Sequence, residues 1–347
     1  MPKSGNPFKM IESFGEIGGI KIKRYVLANK NKMQVKILNY GGLINSIIVP
    51  DRYGNFRNVA LGFETIEGYV AGRSSYIGSL VGRYSNRIAN ASFVLNGETY
   101  TLPANNGKNC LHGGAKGFDQ YIWKTEETID GLRLLITSPD GDQGFPGNLQ
   151  VEVNYVLNDD NSLRIMYRAI TDKSTPVNLT NHAYFNLSGG ADDTILDHQM
   201  QLNADSFIEP DKDLIPTGNI MPVSGTALDF RTSKKIGQDI NTIPGGFDHS
   251  WVLNNSGELK HAASLYNEKS GILMHVETTE PGIQFYSGNF LDGSLTGHNG
   301  KKYSKHSGLC LETQHFPDSP NRPEFPSTIL NPKQIFRSET IYKFEVQ

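Results

Sequence analysis

Val151-Glu-Val-Asn-Tyr-Val-Leu157, Asn158-Asp-Asp-Asn-Ser162 and Leu163-Arg-Ile-Met-Tyr-Arg-Ala169 follow one another, and this stretch decides how the chain folds. Apolar residues recur at alternate positions on both sides of a polar turn cluster, the mark of half-buried antiparallel strands. The same grammar continues outward in both directions. Phe93-Val-Leu95, Asn96-Gly97 and Glu98-Thr-Tyr-Thr-Leu102 predict a hairpin with a type I′ turn, because Asn-Gly tolerates positive φ at both central positions. Ile44 to Val49, Asp51-Arg-Tyr-Gly54 and Val59-Ala-Leu61 predict a second pair. Trp251-Val-Leu253, Asn254-Asn-Ser-Gly257 and the strand from Ile272 to Val276 predict a third. Helical signal is confined to a turn or two over Thr65 to Val70. Pro210, Pro216, Pro222 and Pro244 make residues 205–250 the loopiest region. The expected fold class is all-β, antiparallel, with few short helices. A prior of about 150 residues per domain would divide 347 residues in two, but all-β folds exceed it in one piece. No boundary or internal repeat interrupts the pattern, so residues 1–347 are expected to form a single domain.

Composition narrows the partners. Lys plus Arg is 33 and Asp plus Glu is 36, a formal net charge of −3. Without a basic excess or a basic run, no nucleic acid is expected as partner. No window approaches the roughly 18 uninterrupted apolar residues of a spanning helix, so no membrane is expected either. Met1-Pro-Lys-Ser-Gly-Asn-Pro-Phe8 lacks the apolar stretch of a signal peptide, and the expected location is cytoplasmic. Two cysteines, Cys110 and Cys310, read as reduced core thiols.

Six segments carry the chemistry. In Gly308-Leu-Cys-Leu-Glu-Thr-Gln-His315, apolar neighbours hold Glu312 in a low-dielectric setting, which raises a carboxyl pKa toward that of a general base working near neutrality. The plainer reading is a core carboxylate paired with Lys302 or Arg322, since structural networks also shift pKa values. Asn181-His-Ala-Tyr-Phe-Asn-Leu187 surrounds His182 with aromatics, which stack on sugar C–H faces; a satisfied core histidine is its alternative. Gly82-Arg-Tyr-Ser-Asn-Arg-Ile88 offers amide and guanidinium donors at Asn86 and Arg87, against simple surface ion pairing of Arg83 and Arg87. Leu111-His-Gly-Gly114 presents His112 beside two glycines that permit positive φ; an ordinary loop histidine weighs equally. Phe247-Asp-His-Ser-Trp251 and Pro281-Gly-Ile-Gln-Phe-Tyr-Ser-Gly288 contribute Asp248 and Gln284, otherwise a turn cap and an edge-strand amide. No Gly-rich phosphate loop occurs, and the remaining histidines show no zinc-ligand spacing, so no metal and no cofactor are expected.

In this order the segments resemble the aldose 1-epimerase (galactose mutarotase) family, from roughly Phe14 to Phe344. The resemblance rests on Gly82-Arg-Tyr-Ser-Asn-Arg-Ile88, Asn109-Cys-Leu-His-Gly-Gly114, Asn181 to Leu187, Gly246-Phe-Asp-His249, Pro281 to Tyr286 and Gly308 to Gln314. Tyr84 and Ser85 depart from the family's usual Val-Ala, leaving the Asn-Arg pair intact. The resemblance implies a large antiparallel β-sandwich of the galactose mutarotase-like supersandwich type. It implies that Glu312 is the general base and His182 the general acid, with Asn86, Arg87, His112, Asp248 and Gln284 holding sugar hydroxyls. The implied activity is interconversion of α and β anomers of a free aldohexose such as D-galactose or D-glucose. No dominant apolar stretch marks a large interface, so monomer and weak homodimer both stay open.

Three rivals stay open at this point. A hexose-phosphate epimerase wants several cations in the cleft, where these segments plainly offer only Arg87. A glycoside hydrolase would use Glu312 and Asp248 as its carboxylates, about 5–9.5 Å apart. A non-catalytic sugar-binding module would leave a paired acid and base unexplained.

Overall fold

The computed structural model describes residues 8–254 and 257–347. Nearly all of the Met1–Phe8 stretch, and Asn255 and Ser256 of the Asn254–Gly257 turn, lie outside the described residues.

Two antiparallel sheets face each other. The larger orders its nine strands as Lys124–Glu127, Gly131–Ser138, Leu149–Leu157, Ser162–Thr171, Phe336–Val346, Ile272–Thr278, Lys260–Asn267, Gln199–Leu202 and Lys234–Lys235. The smaller has six: Tyr184–Phe185, Leu309–Gln314, Gly282–Tyr286, Asp248–Val252, Ser206–Pro210 and Pro216–Pro222. A five-stranded meander from Phe8–Ile17 to Phe56–Asn58 adds a third sheet. The one α-helix among the described residues is Ile66–Ala71.

The alternation at 151–169 builds the centre of the nine-stranded sheet. Val153 stands opposite Tyr167 and Tyr155 opposite Ile165, so apolar side chains meet across the ladder and point to one face. They share a single core with Trp251, Ile283, Phe285, Leu309 and Leu311 from the six-stranded sheet. Burial of each such side chain stabilises by about 1.5–3 kcal/mol, which welds the two sheets into a sandwich. With its inner face so committed, the six-stranded sheet presents its other face to a cleft.

The 93–102 hairpin forms as expected: Ser92–Leu95 pairs with Glu98–Thr101, with φ of 53° at Asn96 and 82° at Gly97. Three other expectations need correction. The partner of Ile44–Pro50 is Phe56–Asn58, not Val59–Leu61. Asn58 Oδ1 accepts the amides of Ile47 and Ala60 at 3.0 and 3.2 Å, ending the ladder, and Ala60 bridges to Phe185 instead. The Trp251 and Ile272 strands do not pair. Asp248–Val252 lies in the six-stranded sheet and Ile272–Thr278 in the nine-stranded one, paired with Lys260–Asn267. That intervening strand carries an irregularity between His261 and Ala263, which breaks its period-two signal. Finally, residues 206–222 form a hairpin at the sheet edge, with Pro210, Pro216 and Pro222 at strand ends where a missing N–H is tolerated.

Candidate active site

A cleft of about 350 Å³ opens on the outer face of the six-stranded sheet. Its volume falls within the range of about 300–1,000 Å³ usual for small-molecule sites. Glu312, His182, His112, Arg87, Asn86 and Asp248 all line it, drawn from positions 86 to 312 of the chain.

Strand geometry places Glu312. In Leu309–Gln314 every residue is buried, and alternation sends Leu309 and Leu311 into the inter-sheet core while Cys310 and Glu312 share the opposite face. Glu312 is 2% exposed, and its Oε2 has no hydrogen-bond partner among the described residues. Burial, then the charge of Asp248, raises its carboxyl well above the usual range, and Arg87 opposes them. Neither Lys302 nor Arg322 pairs with it; Arg322 turns to Asp318 and the Pro216 carbonyl.

His182 follows the short strand Thr180–Asn181, its amide donating to Ser79 O. Its Nε2 stands 3.6 Å from Glu312 Oε1, too long for a direct hydrogen bond. The ring is 5% exposed, and burial pushes it down to about 4, so the isolated imidazole is neutral at pH 7. A charged pair is therefore the wrong description of these two groups: burial disfavours the charged form of each and puts the proton of the pair on the carboxyl. Tyr76, Tyr184 and Tyr286 ring the imidazole at centroid separations of 5.9, 5.2 and 6.4 Å.

Loops supply the donors. Asn86 and His112 both adopt left-handed backbone, φ 65° and 51°, costly for non-glycine residues and characteristic of over-determined functional sites. They hold each other. The Asn86 amide donates to His112 Nδ1 and the His112 amide to Asn86 O, each at 3.1 Å. Gly113 makes this possible, since a Cβ there would lie 2.0 Å from Gly82 O. Asn86 Oδ1 accepts the Arg87 amide, and Arg87 Nε donates to Asn106 Oδ1 at 3.1 Å. Arg87 makes no ion pair among the described residues. Arg83 is different: its guanidinium is buried and donates to Ser138 Oγ and to the carbonyls of Ser138, Pro139 and Pro146, a structural tie.

Gln284 is the one expected site residue that does not line the cleft. It stands one layer back, directly opposite Glu312 in the ladder, and its Nε2 donates to Asp248 Oδ1 at 2.6 Å. Asp248 faces the cleft with that amide behind it.

One nitrogen from His112, one from His182 and a Glu312 oxygen lie within 4.8 Å of one another, close enough to suggest a cation. The tautomer of His112 argues otherwise. Its Nδ1 accepts a backbone N–H, so Nε2 carries the ring proton and faces the cleft as a donor, not as a lone pair. Binding a metal there would drive that proton onto Nδ1 against the Asn86 amide. The trio suits an oxygen-rich neutral molecule better than a metal ion.

Some lining residues were missed in the sequence. Ser74, Ser75 and Tyr76 come from the short 3₁₀ turn that follows the helix, where no periodic signal exists. Phe290 and Leu291 lie beyond the last strand residue of their segment. Tyr184 entered the sequence reading only as one of the aromatics around His182, and Asn106 lies in a polar turn just before Asn109 with no distinguishing pattern.

Fold and cleft together define a β-sandwich protein with a buried carboxyl–imidazole pair set among polar side chains. The sequence model of the family described as Aldose 1-epimerase matches residues 23–343, and the chain belongs to that family; it is an enzyme of the epimerase type. It is 45% identical over 336 residues to the galactose mutarotase of Mus musculus, covering 96% of this chain and 97% of that one. Over 327 residues it is 40% identical to the aldose 1-epimerase of Escherichia coli K12, covering 92% and 94%. Among solved structures, a GalM/aldose epimerase homologue from C. elegans superposes with a TM-score of 0.87 at 30% identity, covering 98% of this chain and 99% of that one. The galactose 1-epimerase of Lactobacillus acidophilus gives 0.85 at 28% identity, with the same coverage. The galactose mutarotase-like sandwich is thus the fold of this chain.

Proposed function

We propose that this protein interconverts the α and β anomers of free aldohexoses such as D-galactose and D-glucose, with Glu312 as general base and His182 as general acid. The observation that carries this reading is the 3.6 Å separation of Glu312 Oε1 and His182 Nε2 on the wall of one cleft of hexose size. The pair holds one transferable proton. Its working form is carboxylate plus imidazolium, which has the same net charge as the neutral form favoured by burial, and Arg87 stabilises the carboxylate.

In ring opening, Glu312 takes the proton of the C1 hydroxyl, whose electrons form the carbonyl. The C1–O5 bond breaks, and O5 receives the Nε2 proton of His182. The pair is left neutral: a protonated carboxyl and a neutral imidazole. Rotation about C1–C2 exposes the other carbonyl face, and closure returns both protons in reverse. Each positioned group supplies about 10²–10⁴-fold. Asn86, Arg87, His112 and Asp248 orient the hydroxyls, and Gln284 acts through Asp248.

Arg87 is the one lysine or arginine among the lining residues, facing two acids, which favours a neutral sugar over a hexose phosphate. The protein is read as a single-domain enzyme acting as monomer or weak homodimer. A cytoplasmic setting fits a substrate that is a free sugar, and no helix of the described residues is long and apolar enough to cross a membrane. Polarimetry of freshly dissolved α-D-galactose and α-D-glucose tests the reading: optical rotation should relax far faster with the protein than without it. Binding of the sugars without acceleration would make the protein a sugar-binding module, and release of reducing sugar from a glycoside would make it a hydrolase.

A further inference from the structure

His182 is gripped from both sides by one strand. Its Nε2 faces Glu312 Oε1 at 3.6 Å, and its Nδ1 lies 3.4 Å from Cys310 Sγ. Cys310 and Glu312 are two positions apart on Leu309–Gln314 and so project from the same face. Cys310 is wholly buried, with Tyr184 as its cross-strand partner.

We infer that Cys310 is a positioning residue for the general acid: its sulfur accepts the Nδ1–H of His182, so that Nε2 is the nitrogen that gives and regains the proton. This rests on the acid role proposed for His182. An imidazole that cycles between imidazolium and neutral ring through Nε2 has to keep a proton on Nδ1 throughout, which requires an acceptor there.

The direction of the surrounding hydrogen bonds agrees. The Ser75 carbonyl can only accept, and it takes the Tyr184 hydroxyl proton at 2.9 Å. The Tyr184 hydroxyl proton is thus spent on that carbonyl, which leaves the sulfur its lone pairs. The sulfur then turns a lone pair to Nδ1. Burial, with the charges of Glu312 and Asp248, pushes the thiol well above its usual range, so it stays neutral.

A neutral sulfur in this position has a chemical consequence. A carboxylate behind Nδ1 stabilises imidazolium; a thiol holds the ring without adding that charge. His182 is thereby oriented yet kept a strong acid, as protonation of a weakly basic ring-ether oxygen demands.

Two measurements test the assignment. Two-bond ¹H–¹⁵N correlation spectra of the wild-type protein near pH 7, with His182 identified by its loss in His182→Asn, should show a protonated Nδ1 and an unprotonated Nε2. The opposite tautomer overturns the proposal, whatever the kinetics. In anomer exchange, Cys310→Ala should lower kcat by about 10–100-fold with KM little changed, as loss of a ring-orienting partner does. Cys310→Ser, which restores an acceptor, should recover most of that loss. A kcat for Cys310→Ala within about twofold of wild type, or no recovery with serine, also overturns it. If the wild-type protein fails to accelerate anomer exchange, the acid role falls, while the tautomer spectrum still reports on the Cys310–His182 contact.

Discussion

Gln284 Nε2 donates to Asp248 Oδ1 at 2.6 Å, the tightest hold that any described side chain has on a carboxylate of the cleft wall. Because Gln284 also lies opposite Glu312 in the ladder, one amide ties Asp248 to the strand that pairs with the one carrying Glu312.

Gln284→Leu removes a charge-assisted hydrogen bond of about 1.5–3 kcal/mol behind Asp248. It should raise KM for galactose by about 10–100-fold while kcat falls less. In the Asp248→Asn background the same substitution should do little more. Full additivity of the two changes would show that Gln284 does not act through Asp248.

Glu312→Gln keeps shape and hydrogen bonding but cannot take a proton. By polarimetry kcat should drop by about 10²–10⁴-fold with binding retained. His182→Asn should be nearly as damaging, and the double variant scarcely worse than either, since groups acting as a unit are not additive. Near-normal mutarotation by Glu312→Gln would remove it as the base.

Arg87→Met should chiefly raise KM, by about 10–100-fold if the guanidinium makes one charged hydrogen bond to substrate. An unchanged KM takes Arg87 out of the binding set. In wild type, glucose should be turned over much better than glucose 6-phosphate, whose dianion would face Glu312 and Asp248. Equal rates on the two sugars would point to a phosphosugar enzyme.

His198 gives a pH-dependent stability outside the cleft. It is fully buried, its Nε2 accepts the Leu187 amide at 2.9 Å, and burial pushes it down to about 4, with Asp192 and Asp197 opposing. An unfolded histidine titrates near 6.5, so between about 6.5 and 4 the unfolded chain binds more protons. The stabilisation is complete above that window and lost as pH falls through it. Between about pH 7.5 and 5 this histidine alone should cost about 2 kcal/mol. Urea denaturation of wild type and His198→Gln should show a smaller acid loss in the variant; equal losses would refute the assignment.

How much of this was legible in the sequence depended on regularity. The strands at 149–171 and the Asn96-Gly97 hairpin could be read because side-chain alternation and turn chemistry are local. The strand Lys260–Asn267 was not, because an irregularity interrupts its period. The pairing of Asp248–Val252 with Gly282–Tyr286 is set by distant partners that no window contains. Within the site, Glu312 and His182 stood out by residue type and apolar surroundings. Tyr76 did not, since it arrives on a short turn whose only role in the pattern is to be irregular. The placement of Gln284 behind Asp248 is a matter of side-chain direction across two strands, which spacing alone does not encode.

The alternation along Leu309–Gln314 makes the chemistry a question of parity. Even-numbered side chains meet the substrate side and odd-numbered ones meet the interior, so sliding this strand by one place would bury the carboxylate in hydrocarbon and offer leucine to the sugar. Tyr342, whose hydroxyl donates to Leu311 O from the opposite sheet at 3.3 Å, acts as a pin against that slip. In the proposed reaction, fidelity of proton transfer is thus guarded by a tyrosine outside the cleft.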